Sequence, residues 1–198
     1  MNRTYISFLV TSVLIGSLLS SCASFREGHL QLPKSWPPEV TQRKNSISLF
    51  VTGEAFLNDL RMNVPLGVMQ NWQKQIAKAY VASGLFSEVK LGAEGTDLRS
   101  EVHVRDFVQY RKALAIISGL TLTLFPATGH DKFVVRARIL DKDGQTLQTI
   151  EKTETINLWI QFFLIFIMPF NWPPTKPADT LYDLSRTIIM EAHEGGVF

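Results

Sequence analysis

The chain contains a single cysteine, Cys22, and it sits in the setting Leu19-Ser20-Ser21-Cys22-Ala23. A lone thiol cannot form a disulfide within the chain, and no Cys-x-x-Cys redox or zinc pair exists. Its chemistry is therefore that of a nucleophilic sulfur flanked by small residues. The four histidines are His29, His103, His130 and His193, widely spaced and in unlike contexts. There is no His-Glu-x-x-His zinc helix. Ser118-Gly119 lies in an apolar run and lacks the first glycine of a Gly-x-Ser-x-Gly nucleophile elbow. No glycine-rich phosphate loop is present. His103 with Asp106 and His130 with Asp131 come nearest to acid/base pairs, and such pairs more often belong to surfaces and loops. The sequence thus implies no catalytic, cofactor or metal residue, and no enzymatic role is expected.

The residues before Cys22 explain it better. Arg3 is the one charged side chain among the first 21 residues. Residues 6–19 form an uncharged, mostly apolar run, followed by the small residues Ser20 and Ser21. A basic start, a short apolar middle and a small-residue cleavage site make a secretory signal peptide. The run is shorter than the roughly 20 residues that a membrane-spanning helix needs. Leu19-Ser20-Ser21-Cys22 resembles the lipobox of bacterial lipoprotein precursors, a resemblance confined to the first 22 residues. It implies a diacylglycerol on the Cys22 sulfur, cleavage before Cys22 and an acyl chain on the new amino group. Ala23 follows the cysteine in place of aspartate, which in that family implies the outer membrane, on its periplasmic face. Membrane lipid is then the first partner, and an envelope protein complex a possible second.

Composition agrees with a folded domain. The 198 residues are 45% hydrophobic and 19% charged, and the net charge of +2 falls to +1 once Arg3 leaves with the signal. No basic stripe accompanies it, so no nucleic-acid partner is expected. We divide the chain into a signal peptide (residues 1–21), a lipidated tether (residues 22–45, with Pro33, Pro37 and Pro38) and one periplasmic α+β domain (residues 46–198).

Within that domain, Ile47 to Val51 reads as a strand, and residues 68–83 as a helix with Trp72, Ile76 and Tyr80 on one face and Gly84 as its stop. Residues 86–91 suggest a short strand, and residues 101–110 a longer one. Asp143-Gly144 marks the turn of a hairpin over residues 132–156. A two-residue loop there places Phe133, Val135, Ala137, Ile139 and Ile150 on one face. It sets Arg136 opposite Glu151 and Arg138 opposite Thr149 on the other. A last helix is expected over residues 179–193, capped by Asp179 or Thr180, striped by Leu181, Leu184, Ile188 and Ala192, and ended by Gly195-Gly196. The fold class that follows is α+β, a two-layer sandwich of a small mixed or antiparallel sheet and two amphipathic helices.

Two apolar inserts strain that picture. Residues 113–127 and 158–170 carry no charge. As helices they reach about 22 and 20 Å at 1.5 Å per residue, short of a hydrocarbon core of about 30 Å. One reading makes both buried strands, since Ile116, Leu120, Leu122 and Leu124 alternate with less apolar residues. The other makes them membrane or partner contacts through Leu120, Leu124, Trp159, Phe163, Phe166 and Trp172, with tryptophans bracketing the second insert as at a membrane interface. The body is similar to small α/β periplasmic domains of envelope lipoproteins. Two functions follow as expectations: a non-enzymatic accessory or scaffold docking on a membrane or envelope complex, or a carrier of lipid or another hydrophobic ligand. A pocket lined by Leu120, Leu124, Phe163 and Phe166 would mark the carrier; the same residues pointing outward would mark docking.

Overall fold

The computed structural model describes residues 22–40, 45–121, 123–161, 164 and 175–198. In chain order their elements are β1 (Cys22–Arg26), β2 (Ser46–Leu57), β3 (Leu60–Met62), α1 (Leu66–Ser83), β4 (Glu88–Leu91) and β5 (Leu98–Tyr110). There follow α2 (Lys112–Leu120), β6 (Ala127–Asp141), β7 (Thr146–Ile160) and α3 (Lys176–Glu194). The sheet order is β1-β7-β6-β5-β2-β3, with β4 also pairing β2. β2 runs parallel to β4 and β5, and the remaining pairs are antiparallel, so the sheet is mixed. Helices α1 and α3 pack on each other and on one face of the sheet. This is the expected two-layer α+β sandwich.

The hairpin register is the expected one: Arg136 stands opposite Glu151 and Arg138 opposite Thr149. The turn differs. Asp141 N–H donates to the Gln145 carbonyl, which leaves a three-residue loop of Lys142, Asp143 and Gly144, with Gly144 at φ 79°. That is a turn closed by a left-handed glycine. Its extra residue is offset by an irregularity at Ile139/Leu140, and from Ile139 back to Ala127 the pairing is that of a two-residue loop. The Asp141 carboxylate accepts from the N–H groups of Asp143 and Gln145 and fixes the turn.

Alternation along the strands separates a core face from a charged one. Phe133, Val135, Ala137, Ile139, Val104 and Ile150 are buried against Ile76, Tyr80, Leu184 and Ile188 of the helices. On the opposite face Arg138 bonds Glu101, and Arg105 takes Glu151 at 3.1 Å. Helix α1 approaches β2 at Gly53, where a Cβ would lie 2.6 Å from the Trp72 ring and 2.7 Å from the Val104 carbonyl oxygen. Only glycine lets Trp72 lie against the strand. Gly84, at φ 68°, ends α1 as expected.

Three expectations are corrected. The stretch read as a spacer is in part folded: Cys22–Arg26 is an edge strand on β7, and Leu30 and Trp36 pack against the core. Buried Glu154 fastens it by accepting from Leu30 N–H at 3.1 Å, and Trp36 Nε1 donates to the Tyr182 hydroxyl at 3.2 Å. Leu30 and Trp36 find cover there, which outweighs an extended, solvated chain. Helix α3 begins at Lys176, ahead of Asp179 and Thr180, with Pro177 in its first turn, where its missing N–H costs no hydrogen bond. Residues 113–120 are helical and belong to no strand.

Candidate functional site

Pairing places Cys22 and the first apolar insert at one end of the sheet. Cys22 stands opposite Ile160, which stands opposite Ala127. Helix α2 is inserted between Tyr110, the last residue of β5, and Ala127, the first of β6. The hairpin turn at Gly144 lies at the other end of the same strands. Cys22 is half-buried, and burial pushes its thiol up from the ordinary range.

Helix α2 is apolar and uncovered. Ile116 is 63% exposed and Leu120 81%, and beyond the helix Leu124 is 59% and Phe125 62% exposed. Ile117 is exposed as well, and Ser118 is the helix's one buried residue. Alternating Leu and Thr over residues 120–124 suggested a strand; the helix-favouring Ala-Leu-Ala start decides otherwise. The helix stops at Thr121, whose hydroxyl donates to the Ile117 carbonyl at 2.8 Å, and Thr123 follows at φ 62°. Arg111 stands just before the helix and Lys112 is its first residue, and both are exposed. Cations at a helix N-terminus oppose its dipole, so they contribute nothing to helix stability.

Leu120 and Leu124 therefore point outward. Trp159, on β7, is 41% exposed on the face opposite the helices. Phe163, Phe166 and Trp172, the other expected contact residues, lie outside the described residues.

Beneath α2, on the helix side of the sheet, is a cavity of about 330 Å³. Its floor is made of cross-strand neighbours of four strands: Ser24, Leu158, Gly129 and Tyr110 form one rung, with Ile160 and Ala127 on the next. Ala115 of α2 and Pro177 of α3 close the sides. At the inner end lies Asp131, opposite both Val108 and Ile156.

Asp131 meets Asp106, its diagonal neighbour on the same face. Burial, then the hydrogen bond and charge of Asp106, push the Asp131 carboxyl up to about 9. Burial also raises Asp106, and its hydrogen bond to Asp131 partly opposes the rise. Each Oδ1 is buried without a hydrogen-bond partner. The two carboxyls share a proton at neutral pH, since two buried charges this close would repel. Sequence reasoning did not find this pair. It placed each aspartate beside a histidine, and strand alternation puts those on opposite faces. His103 Nδ1 lies 3.0 Å from the Thr52 hydroxyl, and His130 bonds Asn157. Only the β5/β6 register brings the aspartates together.

Among the described residues there is no group of side chains that could hold a metal ion, and no helix long and apolar enough to cross a membrane.

No family model matches the chain, and no curated protein matches its sequence. Among solved structures it is similar to a dodecamer of a PelC variant from Paraburkholderia phytofirmans, at 7% identity and TM-score 0.37, over 86% of this chain and 94% of that one. It is also similar to a minor lipoprotein from Acinetobacter baumannii, at 13% identity and TM-score 0.38, over 72% of this chain and 86% of that one. Likenesses this distant carry no argument about what this chain does.

Proposed function

We propose that this chain is a lipid-anchored envelope lipoprotein, held at the periplasmic face of the outer membrane through Cys22, and acting without catalysis as an accessory that presses one end of its sheet on the bilayer. The observation that carries the reading is the exposed apolar block of Ile116, Leu120, Leu124 and Phe125 at the same end of the sheet as Cys22. A lipid on that cysteine brings this end, and no other, to the membrane. Helix α2 has 9 residues, too few to span, and suits the interface, where an apolar face sinks about 5–10 Å. Arg111 and Lys112 then sit at headgroup depth, where each cation near an anionic surface gains about 1 kcal/mol. With β1 laid on the sheet from Cys22 onward, the domain rests directly on the bilayer instead of standing off it.

Two experiments test this. Radiolabelled palmitate should be incorporated into the wild-type chain and lost in Cys22→Ala; persistent labelling of the variant would defeat the assignment. Unlipidated Cys22→Ala protein should float with phosphatidylethanolamine/phosphatidylglycerol vesicles, and Leu120→Glu in that background should abolish flotation. Equal flotation of the two would refute contact through α2.

A second reading, a carrier of a hydrophobic ligand, is favoured by the cavity between α2 and the sheet. Its ligand would enter beside Ser24 and leave the exposed face of α2 free for the bilayer.

A further inference from the structure

We propose that the cavity beneath α2 takes one acyl chain of the diacylglycerol carried by this protein's own Cys22, so that the domain shelters part of its anchor. The inference rests on lipid attachment at Cys22 and adds where the lipid goes.

Continuity is the first argument. Side chains two apart on a strand share a face. Cys22 therefore faces the same way as Ser24, which lines the cavity, and Ile160, directly opposite Cys22, lines it too. The sulfur that bears the lipid thus stands at the cavity's edge, half-buried, with a thiol that burial pushes up. A chain leaving that sulfur along the inner face meets Ile160, Leu158 and Ile156 in turn. That apolar path is about 13 Å long at 3.3 Å per residue.

The lining chemistry is the second. Gln109, Thr128 and His130 also border the cavity, but strand alternation turns their side chains to the opposite face. Tyr110 lies on the floor and exposed Arg111 at its rim; the acidic side chain is Asp131, at the far end, and its proton shared with Asp106 keeps a second charge out of the apolar space. Arg26, farther along the inner face of β1, is paired with Asp183. Size is the third argument. About 330 Å³ is near the lower bound of ligand pockets, roughly 300–1,000 Å³, and suits one chain better than a whole two-chain lipid. The remaining chains stay in the bilayer, and two suffice for stable anchoring. A chain held inside also fixes the rotation of the domain, so that α2 faces the membrane.

The test compares lipidated wild-type protein with the Cys22→Ala chain, using pyrene-labelled decanoic acid as the probe. Cys22→Ala should bind the probe, and lipidated protein should bind it at least tenfold more weakly because its own chain competes. Gly129→Leu in the Cys22→Ala background fills the floor and should remove probe binding. The nearest atom to a Cβ at Gly129 is the Gln109 carbonyl oxygen at 3.3 Å, so Ala127→Leu serves as the second blocking variant if the first does not fold. In lipidated protein in nanodiscs, nuclear Overhauser effects should connect acyl methylenes to the Ile160 and Ala127 methyls. Equal probe binding with and without the lipid would overturn the proposal in favour of an external ligand. Absence of both probe binding and Overhauser effects would overturn it outright. Failure of palmitate labelling in wild type would instead remove the anchor itself, an outcome read separately.

Discussion

Replacing Asp131 by asparagine should flatten the pH dependence of stability. In the folded chain Asp131 holds its proton up to about pH 9, whereas unfolded it releases it near the ordinary value of 3.8. Between those values the native state binds one proton more than the unfolded state. Stability therefore falls as pH rises, by about 1.4 kcal/mol per unit for one proton. The contribution is fully present below about pH 4 and is lost progressively toward pH 9. From pH 5 to pH 8 that amounts to at most about 4 kcal/mol, a large share of the 5–15 kcal/mol typical of a domain. Asparagine has no proton to hold, and its amide donates to the Asp106 carboxylate, which then ionises more easily. The assay is urea unfolding of the unlipidated Cys22→Ala chain, with and without Asp131→Asn, at pH 5, 6, 7 and 8. The expected result is a steep fall for the parent and a nearly level line for the variant, with the widest gap at pH 8. Parallel curves within about 0.5 kcal/mol would show that the carboxyls share no proton and that the reasoning from burial is wrong.

Other perturbations test the frame around the site. Gly53→Ala forces Trp72 and the Val104 carbonyl apart and should cost about 1–3 kcal/mol, read as a lower urea midpoint with altered tryptophan emission. Glu154→Gln removes one of the two acceptors that hold the N–H groups of Leu30 and Thr155, and should cost about 1–3 kcal/mol. Limited proteolysis should then cut within residues 27–40 first. Ile116→Lys on exposed α2 should leave the urea midpoint within about 0.5 kcal/mol of the parent, while vesicle flotation falls; a large stability loss would mean that α2 is covered.

Local signals carried much of the fold. Asp143-Gly144 and the alternation around it located the hairpin, and the face that each residue takes followed from period two. The turn length was wrong by one residue, and the register survived because the irregularity at Ile139/Leu140 restored it. Gly84 and the Trp72, Ile76 and Tyr80 spacing located α1. What escaped was non-local. β1 carries only five residues, Cys-Ala-Ser-Phe-Arg, next to an expected cleavage site and a proline-rich stretch, and its partner lies at Ile156 to Ile160, far along the chain. The Asp106–Asp131 pair exists only through the β5/β6 register. Residues 116–124 show a period of two, yet the helix runs to Leu120; in a short apolar run periodicity alone does not separate strand from helix. The sequence left burial and surface contact open for this block; the structure shows residues 116–120 largely exposed.

Element lengths explain why the site is at the Cys22 end. Strands β6 and β7 have 15 residues each, about 50 Å at 3.3–3.4 Å per residue. Helices α1 and α3 have 18 and 19 residues, only about 27–29 Å at 1.5 Å per residue. Two helices of that length cannot cover strands so long. Among the described residues they cover the part holding Phe133 to Ile139, and only the first turn of α3, at Pro177, reaches the part from Ala127 to Asp131. Exposed apolar floor is costly, about 25 cal/mol per Å². Among the described residues, Ala115 of α2 and Pro177 close its sides and leave the cavity. Had the strands ended near Asp131, there would be no cavity and no place for α2, and the core would be complete. The added length beyond the core is therefore a feature that folding alone does not require. It ends at Cys22, Ile160 and Ala127 together, which ties the surplus strand to the residue proposed to carry the lipid.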